Sequence, residues 1–569
     1  MAFALLALLS VIPWLGAVSP ALVVDDASFP PEPSRTLTLA TLAGYFREDA
    51  WAAVRVSTGA YRPLALSLTR VESLLWETDP RGYHLSCVLT HVAVTLAVFA
   101  LLSTVLRAVK RPDEDDRAAD LAAWMSALIF GVHPIHTEAV DSIFNRSEVL
   151  ATLGVTLALL VVARLAESRP RVAWSLTAAL YLLSLLSKES AATLPALAAV
   201  LLLLLRKPTD LRAAARVVAP AVTLAAPLAL YLVMRSRALE HLTFDTTQGR
   251  GLAAPTAWPE RLASTVTALR EFWRMLVWPL PLRASYDDFT SRGVALAMVF
   301  HVALLGASIA LRRRAPALLA GVAMVYLALL PVTRIVSHLG VVVTVAERYV
   351  YLPSVGFALA LGALLLAVSR RGVEVTLVAG AALYLALAPM TWLRNDDWRS
   401  DLALWESETA AAPENPDAWK WLTAAYMNAN RWDDVVRVCD ERERQGVRHA
   451  PLLVHCAFAY DNRGRPADAE RAITTAATLE ASPVILTTLA RRQVRAGRLD
   501  DARATYERAL AAEVDPVRRD TTRGEMLLRT YPDRAAEAEA AYARALSVEP
   551  RYEAARVGLE RARRARGAR

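Results

Sequence analysis

Charged side chains stand at the ends of long apolar runs in this chain, and their types fall into a few groups able to do chemistry. Asp25 and Asp26 lie together in VVDDASF, where the first run ends. The segment GVHPIHTEAVDSIFNRSEVLA carries His133, His136, Glu138, Asp141, Asn145, Arg146 and Glu148 between two further runs. Ser187, Lys188 and Glu189 interrupt another pair, and AERYVYLPSVGF brings Glu347, Arg348 and Tyr349 to the start of a later one. A charge at membrane depth costs at least about 2.5 kcal/mol on the insertion scale, so such clusters mark places where a substrate, ion or proton is handled. HPIHTE offers two histidines and a carboxylate to a divalent metal. Its spacing crosses a proline turn, not one helix face as in HExxH, so no metal ligand is assigned and a divalent metal stays open. Each cluster also has a plainer reading: a solvated helix boundary for Asp25 and Asp26, an ion pair for Lys188 and Glu189, a simple turn for His-Pro.

The elements that must position these residues are membrane helices. Of the 569 residues 55% are hydrophobic, and mean hydropathy is +0.30, too apolar for a soluble protein of ordinary composition. The apolar blocks end near Leu393 and approach the length needed to cross a hydrocarbon core of roughly 30 Å. About eleven spans are expected: Ala2–Val24, His84–Leu106, Leu121–Val132, Leu150–Leu165, Ala173–Leu186, Ala191–Leu205, Val217–Met234, Val294–Leu311, Pro316–Val332, Tyr349–Val368 and Val373–Leu393. The first lacks a basic leader and is read as a retained span, not a cleaved signal peptide.

With the N-terminus cytoplasmic, the inner loops are RAVKRPDEDDR, RLAESRPR, RKPTDLRAAAR, RRRAP and SRRG, each rich in Lys or Arg as the positive-inside rule requires. Every polar cluster, the long loop 25–82 and everything after Arg394 then face outward. TVTALREFWRMLVWPLPL carries Arg270, Glu271 and Arg274 and is read as a re-entrant or interfacial helix on the outer side. The net charge of +8 sits largely in the inner loops, and no recognised nucleic-acid module occurs, so no nucleic-acid partner is expected. Cys87, Cys439 and Cys456 lack metal spacing; Cys439 and Cys456 have the option of pairing in an oxidising compartment, but two unpaired small apolar residues are favoured.

From Pro413 the pattern recurs at a period of about 33 to 34 residues, that of tetratricopeptide (TPR) helix pairs. Asn430, Gly464 and Gly497, with Ala469, Ala502, Ala476 and Ala509, read as small residues that let paired helices approach, and Pro516 and Pro550 as closing their units. The expected organisation is all-α: a polytopic membrane bundle over 1–395, a linker over 396–412, and a TPR α-solenoid of about four repeats over 413–569. The terminal ARVGLERARRARGAR is read as a polar cap whose basic face has an anionic lipid or acidic ligand as its lesser reading.

VVDDASF, AYRPLALSLTRVE, RGYHLSCVLTH, FGVHPIHTEAVDSIFNRSEVLATL, LLSKESAATLPAL, AERYVYLPSVGFAL and RNDDWRSDLALWESETAAAPENPDAW stand in one order along the chain. In that order the sequence resembles the transmembrane and tetratricopeptide repeat-containing (TMTC) family, whose membrane part is similar to GT-C glycosyltransferases. The resemblance implies transfer of a sugar, mannose in eukaryotic members, from a polyprenyl-phosphate carrier to protein hydroxyls outside the cytoplasm. It places Asp25 or Asp26 as the acidic residue of the first outer loop, the base or acceptor-orienting group. A carboxylate in reach of a Ser or Thr hydroxyl can take its proton as the glycosidic bond forms. The leaving phosphate calls for cations, for which Arg146, Lys188, Arg348 and Arg62 are the candidates in that order. His133, His136, Glu138 and Glu189 are candidates to position the acceptor or hold the turns. Ser86 stands where the family usually has asparagine, and Asn145 and Glu148 replace its usual glycine and aspartate. High Ala and Arg usage suggests a GC-rich bacterial genome and an undecaprenyl-type carrier, with the bundle in the inner membrane and the repeats periplasmic. The leading expectation is a membrane glycosyltransferase whose repeats bind the acceptor protein or peptide. The alternatives are a non-catalytic membrane scaffold for envelope complexes and an enzyme that modifies glycolipid.

Overall fold

The computed structural model describes residues 1–19, 21–28, 37–51, 59–112, 114–239, 258–286, 293–333, 335, 345–550 and 552–567. Among them every regular element is helical. The chain divides into two units, Met1–Leu404 and Trp405–Arg569.

In the first unit each of the eleven apolar runs lies on helix. Among the described residues seven helices are long and apolar enough to cross a membrane, eight if the bent pair Asp116–Gly131 and Pro134–Val140 is one span. Ala2–Ala17 and Pro316–Val332 are apolar but shorter. The first run leaves the helix at Ala17, not at Val24 as its hydropathy suggests. Proline opens many of these helices, at Pro63, Pro80, Pro170, Pro316 and Pro353, where the missing N–H is one the first turn does not use. Asp79 and Asp115 cap two helix starts by accepting from Arg81 N and Arg117 N.

Pro80–Val109, Asp116–Gly131, Arg146–Leu165 and Pro353–Val368 form the centre; two thirds (67%) of the Pro353–Arg371 window is buried. Only 17% is buried in Val294–Leu311 and in Val373–Asp397, whose Leu296, Val299, Val302, Val378 and Leu385 are exposed. Apolar side chains facing out over whole helices are what a lipid solvent requires and water does not tolerate. Where Pro316–Leu329 crosses Pro353–Val368, Gly321 meets Gly356: a Cβ on either would lie within 3.0 Å of the opposite backbone. Small residues at such a crossing let backbones approach closely. The segment read as re-entrant or interfacial is the helix Trp258–Val277, with Trp258, Leu262 and Val277 exposed and Phe272, Trp273 and Met275 buried.

The second unit holds four helix pairs: Pro416–Asn428 with Trp432–Arg444, Ala450–Asn462 with Pro466–Leu479, Pro483–Arg495 with Leu499–Ala512, and Pro516–Thr530 with Ala535–Val548. Glu553–Gly567 follows them. The segment expected as a linker, 396–412, carries the helix Asp401–Ala411, within which the two units divide. Ala469, Ala476, Ala502 and Ala509 are fully buried, so the small-residue reading holds for them. It does not hold for Asn430, Gly464 and Gly497, whose φ values are 56°, 68° and 75°. A Cβ on Gly464 or Gly497 would meet nothing within 4 Å. They end their helices in the left-handed conformation, and the next residue donates back along the helix, as Arg465 N does to Tyr460 O at 2.8 Å and Arg498 N to Gln493 O at 2.9 Å. Pro516 likewise opens a helix instead of closing a unit.

The structure also corrects the cysteine reading. Cys439 and Cys456, on Trp432–Arg444 and Ala450–Asn462, are buried with Cα atoms 5.6 Å apart and form a disulfide. Two thiols on facing helices meet across a helix-pair junction that linear spacing does not display. Cys87 is free and buried.

Candidate functional site

The break at His133–Pro134, bent by 48°, turns the chain out of Asp116–Gly131 and into a short helix, and the segments singled out in the sequence gather around it. His133 Nδ1 accepts from Ile135 N at 3.2 Å and its Nε2 lies 3.1 Å from Leu276 O. His136 Nε2 lies 3.0 Å from Ser354 Oγ. Both rings stand in an aromatic cluster with Phe130, Tyr351 and His91, whose Nδ1 is 2.6 Å from Tyr351 Oη. Among the described residues no three His, Cys, Asp or Glu side chains converge as a metal ligand set.

Asp26 is fully buried and binds the turn that follows: Ser142 Oγ and Phe144 N donate to its Oδ1 at 3.0 and 2.9 Å, and Ile143 N to Oδ2 at 3.0 Å. Burial pushes its carboxyl up to about 7, against the pull of these donors toward the charged form. Asp25, half-buried, lies in electrostatic reach of both Asp26 and Arg348.

Each of the four expected phosphate-binding cations meets a carboxylate from another part of the chain. Arg62 donates through Nη2 and Nε to Glu189 at 2.8 and 3.3 Å, with its guanidinium 5.4 Å from the Phe144 ring centre. Lys188 Nζ is 2.9 Å from Glu148 Oε2, both side chains buried. Arg348 pairs with Glu138 through its guanidinium, and its backbone N donates to Glu138 Oε2 at 2.8 Å. Arg146 pairs with Glu72 at 2.7 Å and donates to Thr69 Oγ1 at 3.0 Å. The plainer reading of Lys188 and Glu189 as an ion pair with each other gives way to two pairs with other segments.

Arg62, Lys188 and Arg348 lie in electrostatic reach of one another, with Glu148 and Glu189 between them. They form one nest, and Asp25 borders it at Arg348. Arg146 belongs to a second nest with Glu72, Cys87 and Asp26. The two meet at a void of about 20 Å³ lined by Arg62, Thr69, Phe144 and Arg146, room for a single water. A third group forms around Glu347, which the sequence singled out without its partners: fully buried, it accepts from Arg283 N at 2.6 Å and Tyr286 Oη at 3.1 Å, and faces Arg394 Nη2 at 3.3 Å. Its carboxyl is pushed up to about 8 by burial. Glu72 was readable only as the single acid of AYRPLALSLTRVE, two residues after Arg70; Arg283 and Tyr286 carry no such signal.

No family model matches the chain. It is 24% identical over 562 residues to protein O-mannosyl-transferase TMTC3 of Mus musculus, covering 89% of this chain and 59% of that one. Protein O-mannosyl-transferase Tmtc3 of Drosophila melanogaster is 24% identical over 89% of this chain and 64% of its own length. Protein O-mannosyl-transferase F38B6.6 of Caenorhabditis elegans is 26% identical over 430 residues, 72% of this chain and 57% of its own. The chain thus spans about three fifths of the length of these relatives. Over most of its length its homologues are protein O-mannosyl-transferases of one family, the transmembrane and tetratricopeptide repeat-containing (TMTC) family, and the chain is similar to them at 24–26% identity.

Proposed function

We propose that the protein is a membrane glycosyltransferase that moves a sugar, mannose or a close analogue, from a polyprenyl-phosphate donor to hydroxyls of extracytoplasmic proteins. The observation that carries this reading is Asp25 beside Arg348 in the nest that also holds Arg62 and Lys188. A proton acceptor next to three cations is what the reaction needs. The acceptor hydroxyl gives up its proton to Asp25 as its oxygen bonds to the anomeric carbon, and the C–O bond to phosphate breaks, leaving charge that Arg62, Lys188 and Arg348 stabilise. Asp26, closed round by three donors, acts as the strut that fixes the 142–144 turn. Arg146, His133 and His136 hold the surrounding segments in place, and Glu138 and Glu189 orient Arg348 and Arg62. The names of the relatives, all protein O-mannosyl-transferases, support the reaction class. The helix pairs from Pro416 onward are read as a TPR solenoid that binds the acceptor, and the cluster-bearing face as extracytoplasmic, with the bundle in the inner membrane of a bacterium.

One observation favours a second reading. All four cations are already matched by carboxylates, as in a purely structural network, which fits a non-catalytic membrane scaffold with a partner-binding arm. The deciding experiment compares glycopeptides from extracytoplasmic proteins of cells carrying wild-type protein or Asp25→Asn, with protein levels matched. Loss of specific Ser/Thr glycopeptides supports the enzyme; an unchanged glycoproteome in Asp25→Asn and in Asp25→Asn/Asp26→Asn selects the scaffold.

A further inference from the structure

The second unit contains a groove of about 1000 Å³ formed by Pro483–Arg495, Pro516–Thr530 and Glu553–Gly567, the first helices of two successive pairs and the closing helix. Five arginines and three glutamates line it. Glu525 is committed to two of those arginines, with both its oxygens 2.6 Å from Arg491 and Oε1 2.7 Å from Arg529 Nε. Arg495 has a carboxylate only at 3.7 Å, Asp461. Arg518 and Arg561 are exposed, and among the described residues neither has a carboxylate within ion-pair distance. This singles out Arg561 on its own helix, because Arg556, Arg563, Arg564 and Arg566 each pair with a glutamate. Arg561 is thus the arginine of the closing helix that lines the groove without a glutamate partner among the described residues.

The rest of the lining supplies what an extended peptide uses. Thr487 and Thr522 offer hydroxyls that both donate and accept, while those of Thr488 and Thr521 donate to Val484 O and Val517 O and are left to accept a peptide N–H. Tyr552 and Val557 give apolar surface for side chains between the charged points. A concave groove with separated cations suits a chain that threads along it, whereas a lipid surface would meet the outer rim. We propose that this groove binds an acidic, extended polypeptide segment, with Arg518 and Arg561 pairing its carboxylates. Resting on the reading of this unit as an acceptor-binding arm, the proposal gives that arm a preference: hydroxyl-bearing segments flanked by Asp or Glu.

The test uses the full chain in nanodiscs and fluorescence anisotropy of two labelled twelve-residue peptides, one rich in Glu, Ser and Thr, the other with Lys in place of Glu. The acidic peptide is expected to bind and the basic one to bind at least tenfold more weakly, with the acidic affinity falling as salt is raised. Arg518→Glu/Arg561→Glu is expected to weaken the acidic peptide at least tenfold, and Arg508→Glu, an exposed arginine outside the groove, to leave it unchanged. Arg518→Gln/Arg561→Gln, with the same far-ultraviolet circular dichroism as the parent, guards against misfolding and is expected to show a smaller loss of the same sign. Equal binding of both peptides, or wild-type affinity in both double variants, overturns the proposal. So does a loss in those variants of binding to phosphatidylglycerol vesicles without a loss of peptide binding, which would assign the arginines to lipid. Sugar transfer measured on the same peptides separates the two readings: charge-selective binding without transfer removes the enzyme and keeps the groove, and transfer without charge selectivity does the reverse.

Discussion

At the scale of single residues, the two adjacent aspartates divide a role that the sequence presents as shared. Asp26 is the better buried and has its lone pairs taken by the 142–144 turn, so its replacement acts first on the fold. Its carboxyl, ordinarily near 3.8, is raised to about 7 by burial. A raised acid favours the folded protein fully below pH 3.8, and that contribution is lost as pH rises through about 7. The thermal midpoint of the wild type in detergent is expected to fall relative to Asp26→Asn between pH 5 and 8; parallel profiles would disprove that titration. Asp25→Asn, which removes a charge that helps to raise the Asp26 carboxyl, is expected to shift that profile toward lower pH and to abolish glycosylation. Arg146 and Glu72 make a different point. Removing one partner of a buried pair leaves an unmatched charge, so Arg146→Met or Glu72→Met alone is expected to cost about 3–5 kcal/mol. The double replacement should recover most of the loss, since apolar pairs often substitute for buried ion pairs without penalty. Chemical unfolding of all three variants checks it, and additive losses would contradict a direct pair.

At the scale of elements, the helices were legible and their partners were not. Hydropathy is a local property, so each apolar run announced a helix, and proline at the first turn and aspartate at the cap marked where several begin. The clusters of the candidate site were legible too, because charge beside apolar sequence is conspicuous. Which acid meets which cation was not, since Lys188 and Glu189, neighbours in sequence, point to Glu148 and Arg62 from distant segments. The same limit explains the glycines: a short side chain serves either close packing or a left-handed turn, and spacing alone does not say which. Two substitutions separate these uses. Gly464→Asn is expected to be tolerated, as Asn430 takes the equivalent turn, whereas Gly464→Val is expected to cost about 1–2 kcal/mol in unfolding of the second unit through the left-handed backbone. Gly356→Leu acts by crowding. With a Cβ already 2.8 Å from Gly321 O, it is expected to cost roughly 1–3 kcal/mol or to part the two helices, read as a lower detergent-unfolding midpoint.

At the scale of the whole molecule, two unrelated features bear on which side of the membrane the arm occupies. One is the distribution of Lys and Arg, concentrated in alternate loops such as RKPTDLRAAAR and RRRAP, the pattern that the positive-inside rule associates with cytoplasmic loops. The other is the pairing of Cys439 with Cys456, since disulfides persist in oxidising compartments and are rare in the cytosol. Loop charge takes no account of the arm, and the cysteines take no account of the loops, so their agreement is informative. The expected outcome is that a phosphatase reporter fused after Arg399 is active outside the cytoplasm and one fused after Arg314 is inactive. Maleimide labelling of the denatured protein, trapped without reductant, should then modify one thiol, and three after reduction. An inactive phosphatase after Arg399, together with three thiols open before reduction, would put the arm inside. Asp25 and the three-cation nest would then face the cytosol, and the proposed transfer to extracytoplasmic hydroxyls would fall with the orientation.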